Sequence, residues 1–175
     1  MEFTKIRESG AKADTPLGEL TLHRTRSTAD VTATMKGLEA WRLELDGRPL
    51  AELPRFGRPP RDAAALVHGG AVGGFAGAEL RIDARDHLLR SGRFVEFRSG
   101  DRALRFVRRG LAGAQLLEDG RPVARTRFGS WEAAEPDPLR VVAMAVYAWA
   151  NLDDVNTNPV LRNLVHAVSA VLYFF

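Results

Sequence analysis

From Val141 to Ala150 the chain carries no charged and no amide side chain. At about 3.6 residues per turn, such a run makes a helix apolar on every side, and a sheet packed on one side would leave the rest in water. As a helix, Leu139 to Leu152 rises about 21 Å, short of the roughly 30 Å of a bilayer interior; runs of this length mark buried core helices. A β-barrel is the enclosure that fits. Strands of about seven residues, tilted by about 40°, give a wall of about 18 Å. Barrels of about eight strands are filled by their own side chains, so a helix about 10 to 12 Å across calls for about eleven or twelve.

The expected fold is therefore mainly β: an antiparallel barrel of about twelve strands enclosing a hydrophobic helix near the carboxyl end, plus a second C-terminal helix. One domain spans residues 1–175, with strands over 1–135, the central helix at 137–153 and a peripheral or capping helix at 159–175. Short segments at 2–8, 17–25 and 30–36 read as strands. Three hairpins follow from their turns: Leu38 to Leu53 around Asp46-Gly47, Phe94 to Arg108 around Ser99-Gly100-Asp101, and Gln115 to Phe128 around Asp119-Gly120. The prolines of 54–62 read as a loop, and Ala63 to Ile82 as a strand, a bend and another strand. Proline and acidic residues at Glu135 to Pro138 suit a helix start.

Asp46-Gly47-Arg48-Pro49-Leu50-Ala51 recurs as Asp119-Gly120-Arg121-Pro122-Val123-Ala124, 73 positions later. Duplication of a half-barrel would produce this recurrence, and so would two turns reaching the same solution independently.

There is no cysteine, which excludes disulfides, thiolate metal sites and a thiol nucleophile. The opening Met1 to Gly10 lacks the apolar core of a signal peptide, and a cytoplasmic location, possible also at a membrane periphery, is expected. Histidines at 23, 68, 87 and 166 lack ligand spacing. Asp154-x-Asn156-x-Asn158 starts like a calcium loop but meets Pro159 where glycine is needed and Val165 where glutamate is needed. His68-Gly69-Gly70 has no G-x-S-x-G to serve, since Ser130 lacks the following glycine, and the glycines of 69–77 lack the lysine of a phosphate loop. The reading is non-enzymatic, with no cofactor and no metal.

Residues 81 to 127 hold twelve basic and six acidic groups, and nearly all the basic ones are arginine. Arginine abounds in the whole chain, so part of this excess is a solvated surface. The hairpin at 94–109 is the candidate ligand-binding element, with Arg102, Arg105, Arg108 and Arg109 as candidate residues. Alternation places Arg105 and Arg109 on one face and Arg102, Leu104, Phe106 and Arg108 on the other. With Leu104 and Phe106 turned inward, Arg105 and Arg109 face solvent and can take a phosphate or lipid headgroup. Nucleic acid is disfavoured because no aromatic residue shares that arginine face.

In this order of parts the chain resembles the tubby C-terminal-like superfamily, in particular its phospholipid-scramblase and LURP-one-related branches. The resemblance rests on Phe128-Gly129, Pro136-Asp137-Pro138-Leu139, the apolar run Val141 to Ala150, and Leu152-Asp153-Asp154. It implies a twelve-stranded barrel around a hydrophobic helix, and binding to phosphoinositides or other membrane lipids. No family binding residue carries over position by position. Two functions are expected from these readings: a barrel that binds lipid or an anionic headgroup at a membrane surface, or an interaction module that forms a homodimer through the helix at 159–175.

Overall fold

The computed structural model describes residues 1–3, 10–29, 31, 38–56, 70–85, 92–109, 113–127 and 130–153. Eleven strands form one antiparallel sheet in chain order: β1 Gly10–Thr15, β2 Gly18–Arg26, β3 Glu39–Leu45, β4 Arg48–Phe56, β5 Ala71–Phe75, β6 Ala78–Arg85, β7 Phe94–Ser99, β8 Arg102–Arg109, β9 Gly113–Glu118, β10 Arg121–Arg127 and β11 Ser130–Ala133. One helix follows, α1 Pro138–Trp149.

Turn chemistry explains the meander. Asp46-Gly47, Ala76-Gly77 and Asp119-Gly120 have positive φ at both central residues, the backbone twist that suits two-residue hairpins. At Gly100-Asp101 only the glycine is positive. These turns and the one at 16–17 gather at one end of the sheet.

Side chains alternate across the sheet. Leu20, Leu22, Trp41, Leu43, Leu53, Leu80, Ile82, Val95, Phe97, Leu104, Phe106 and Leu116 are all buried on a single face. The helix lies against that face. Val141 to Val146 have no exposed surface at all, and six successive residues at about 100° each cover every side of a helix. Tyr147 packs on Phe106 of β8 and Trp131 of β11, while Trp149 meets Phe3 edge-on. The sheet must curl around the helix to touch it from these directions.

Two parts of the expected architecture need correction. Eleven strands are present among the described residues rather than twelve, and the sheet is not closed into a barrel, because β1 and β11 do not pair. Among the described residues β11 exchanges one pair of hydrogen bonds beyond its ladder to β10: the Trp131 N–H donates to the Met1 carbonyl and the Met1 amine to the Trp131 carbonyl, each at 2.8 Å. The second helix at 159–175 is not supported, its residues lying outside the described ones, as do the strand expected at 30–36, apart from Val31, and most of that at 2–8.

Smaller differences have local causes. β4 continues to Phe56 through Pro54, where a loop was expected. A register shift between Glu39 and Trp41 interrupts the ladder there, where no Pro54 N–H is needed, and the Pro54 carbonyl accepts from the Ser27 hydroxyl.

Pairing repeats along the sheet. Leu45–Arg48, Glu44–Pro49, Leu43–Ala51 and Arg42–Glu52 in β3–β4 recur 73 positions later as Glu118–Arg121, Leu117–Pro122, Leu116–Ala124 and Gln115–Arg125 in β9–β10. The same bulge sits at Leu50 and Val123. Neighbouring ladders follow suit: Leu22–Leu43 and Thr25–Ala40 correspond to Phe106–Leu116 and Arg109–Gly113, and Ala13–Leu20 to Phe97–Leu104. Ala51–Phe75 and Glu52–Gly74 correspond to Ala124–Ala133 and Arg125–Glu132. Strands β1–β5 thus map onto β7–β11.

Candidate functional site

The four arginines of β8 part company because a strand has two faces. Arg102, at the first position, points to the helix side and binds two carboxylates. It donates to both Asp137 oxygens at 3.2 and 2.8 Å and to Glu118 Oε1 at 2.7 Å. Arg140 completes the group with donations to Glu118 Oε2 at 2.9 and 2.6 Å. Asp137 also caps α1, accepting from the Leu139 and Arg140 backbone N–H groups. The Arg102 hydrogen bond holds the Glu118 carboxyl below the usual carboxylate range. Burial pushes Asp137 upward, but hydrogen bonds from Arg102 and the Arg140 backbone outweigh it and leave the pKa lowered. Asp137 and then Glu118 in turn keep Arg102 more firmly protonated than a free guanidinium. Two cations and two anions cancel here, and the cluster fastens the helix to β8 and β9.

Arg108 is half-buried on the inner face and has interactions of its own. Arg105 and Arg109 stand on the outer face as the alternation requires. Arg105 lies over the Phe94 ring, 4.3 Å from its centroid, and donates to Glu96 Oε2 at 2.7 Å. Glu96 is the unusual member: an outward residue of β7 that is only 2% exposed. Its Oε1 sits against Arg98 Nη2 without an aligned hydrogen bond. Across the ladder, Arg98 faces Arg81, and both are about half exposed. Like charges directly opposite oppose pairing, so this row keeps guanidinium density on the outer face at a cost to the sheet.

Arg109 belongs elsewhere on the same face. It borders a groove of about 410 Å³ with Gln115, Arg125 and Glu132 as polar lining and Pro122, Val123, Ala133 and Ala134 as apolar lining. Arg125 donates from Nε and Nη2 to one Glu132 oxygen, both at 3.2 Å. Both residues are about half exposed, so this pair is weak. No ion pair among the described residues engages Arg109. A second outer groove, about 510 Å³, lies over β2–β4 and includes His23, Thr25, Arg42 and Glu52.

The structure divides the β8 arginines that the sequence singles out among three settings. Arg81, Arg98, Gln115 and Arg125 were missed as neighbours. Arg98 lies in the hairpin expected at 94–108, and Gln115 and Arg125 in that at 115–128; no local signal specifies the pairing of β6 with β7 or of β8 with β9.

Of the histidines, His23 is an exposed residue near Glu44, and His68, His87 and His166 lie outside the described residues, as does Asp154 to Asn158. Among the described residues no group of three His, Cys, Asp or Glu side chains can hold a metal ion. No described helix is long and apolar enough to cross a membrane. Set against family models, curated proteins and solved structures, the chain matches none.

Proposed function

We propose that the protein is a non-enzymatic scaffold that binds anionic lipid headgroups through the outer face of β6–β8. The observation that carries this reading is the row of half-exposed guanidiniums from Arg81, Arg98 and Arg105, which stands there despite the cost of facing two of them across a ladder. Burial of Glu96 beneath Arg98 and Arg105 supports the same reading, because it holds their forks in place for phosphate oxygens. The helix supports a surface site over an interior one: Val141 to Val146 occupy the space that an enclosed acyl chain would need.

The resemblance to the tubby-like superfamily belongs to this proposal.

Flotation with vesicles tests the reading. The protein is expected to rise with vesicles containing anionic lipid, to stay behind with neutral ones, and to be released as salt is added. Arg81→Gln combined with Arg98→Gln should weaken the interaction. Failure to float with anionic vesicles at low salt, where screening is least, removes the proposal.

A further inference from the structure

We infer that the groove over β9–β11 is a binding site for a small amphiphilic anion, a phosphate on a short alkyl chain, acquired by the second of two equivalent halves of the sheet. It narrows the anionic-ligand reading to one site and rests on that reading only for the sign of the ligand's charge.

The chain supplies its own control. Nine cross-strand pairs cited above coincide between β1–β5 and β7–β11, and the bulge at Leu50 returns at Val123. The shared bulge of β3–β4 and β9–β10, and the β1–β2 and β7–β8 turns falling at the same place relative to it, make the two stretches equivalent units of the sheet. Both outer grooves lie on this unit and have three lining positions in common. Thr25 of the first corresponds to Arg109 of the second, Arg42 to Gln115, and Glu52 to Arg125.

What changed between the copies is charge. In the first groove Arg42 is matched by Glu52 at 2.9 Å and His23 by Glu44 at 3.4 Å. In the second, the carboxylate of Glu52 gives way to a guanidinium, and the hydroxyl of Thr25 to another. Glu132 answers one of them, loosely, and a positive charge is left over. A purely structural face has no need for the exchange, since the first copy keeps the same register without it.

The lining chooses the rest of the ligand. Forked donors at Arg109 and Arg125, with the Gln115 amide, suit phosphate oxygens. Pro122 and Ala134 beside them offer an exposed apolar edge, with Val123 and Ala133 packed against the core behind it, and the groove volume suits a small molecule rather than a folded partner.

Calorimetric titration of the intact chain at low ionic strength decides it, with octyl phosphate below its micellar concentration and inorganic phosphate as the comparison. Saturable one-site binding of octyl phosphate is expected, about tenfold tighter than inorganic phosphate. Arg109→Thr, which restores the residue of the first copy, and Arg125→Gln should each weaken it about tenfold, while Arg42→Gln in the first groove should not. Melting curves of the variants establish that these exposed substitutions leave the fold intact. Absent binding, equal affinity for inorganic phosphate, or undiminished affinity in Arg109→Thr overturns the inference. Vesicle flotation run in parallel separates the two proposals: flotation without octyl phosphate binding sinks the groove alone, and the reverse sinks the membrane reading alone.

Discussion

Arg102 opens β8 and grips Asp137, the residue that caps α1, through two hydrogen bonds of 2.8 and 3.2 Å. A residue 35 positions away in the chain thus fixes where the helix enters the sheet. The same carboxylate serves both tasks, binding the guanidinium with its two oxygens and the first helical N–H groups with one. Helix position and helix capping are therefore coupled.

Removing that carboxylate should cost more than an ordinary cap. Asp137→Ala loses about 1 kcal/mol of capping and leaves Arg102 with only Glu118, so a total of about 2 to 3 kcal/mol is expected in chemical denaturation. Asp137→Asn keeps a capping oxygen and should cost less. Equal losses for the two variants would mean that the ion pair, rather than the cap, carries the contribution.

Acid should act through the same cluster. The Glu118 and Asp137 carboxyls have folded-state pKa values below their ordinary ones, so the unfolded chain takes up protons first as the pH falls. Their contribution is complete above the ordinary carboxylate range and is lost as the pH drops through the folded values. Denaturation midpoints should be flat from neutrality to about pH 5 and decline below about pH 4. Glu118→Gln should start lower and decline less, and an identical acid limb in that variant would place the sensitivity elsewhere.

Enclosure of the helix predicts the outcome of Val146→Asp. Position 146 has no exposed surface, so an uncompensated carboxylate there costs several kcal/mol. Against a usual total of about 5 to 15 kcal/mol, the variant should fail to fold, as read by circular dichroism. Normal stability would require this side of the helix to face water.

Ala76 offers a change in the opposite direction. Its φ of 48° occupies the first position of a turn where the two other hairpins of the same type place aspartate. A left-handed alanine costs about 1 kcal/mol or more, which Ala76→Asn or Ala76→Gly should recover as a higher melting temperature. A lower one would show that the alanine methyl makes contacts worth more than the strain.

Much of the fold was legible because it is local. Asp46-Gly47, Gly100-Asp101 and Asp119-Gly120 announce their hairpins through backbone angles that few other residues adopt, and the period-two alternation of β8 put Leu104 and Phe106 inside before any contact was known. The strands at Gly10–Thr15 and Ser130–Ala133 gave no such signal. The first is held by its ladder to β2, the second by Arg125, Thr126 and their neighbours on β10, and both pairings depend on chain brought from outside the segment. The candidate site divides in the same way: Arg105 and Arg109 could be placed on the outer face from spacing, whereas Arg125 became a neighbour of the Arg109 groove only through β9.

By itself the sequence determined that Val141 to Ala150 must be buried on all sides, that the chain before it is a series of antiparallel strands, and that two of its hairpins share one turn. These follow from hydrophobicity and backbone angles, which each residue carries wherever it is placed. The tertiary structure alone decided that Arg102 would anchor the helix, that Glu96 would sink beneath two arginines, and that the seam beside β11 would be held by Met1. Such outcomes depend on distances between residues far apart in the chain, and those distances exist only once the sheet has curled around its helix.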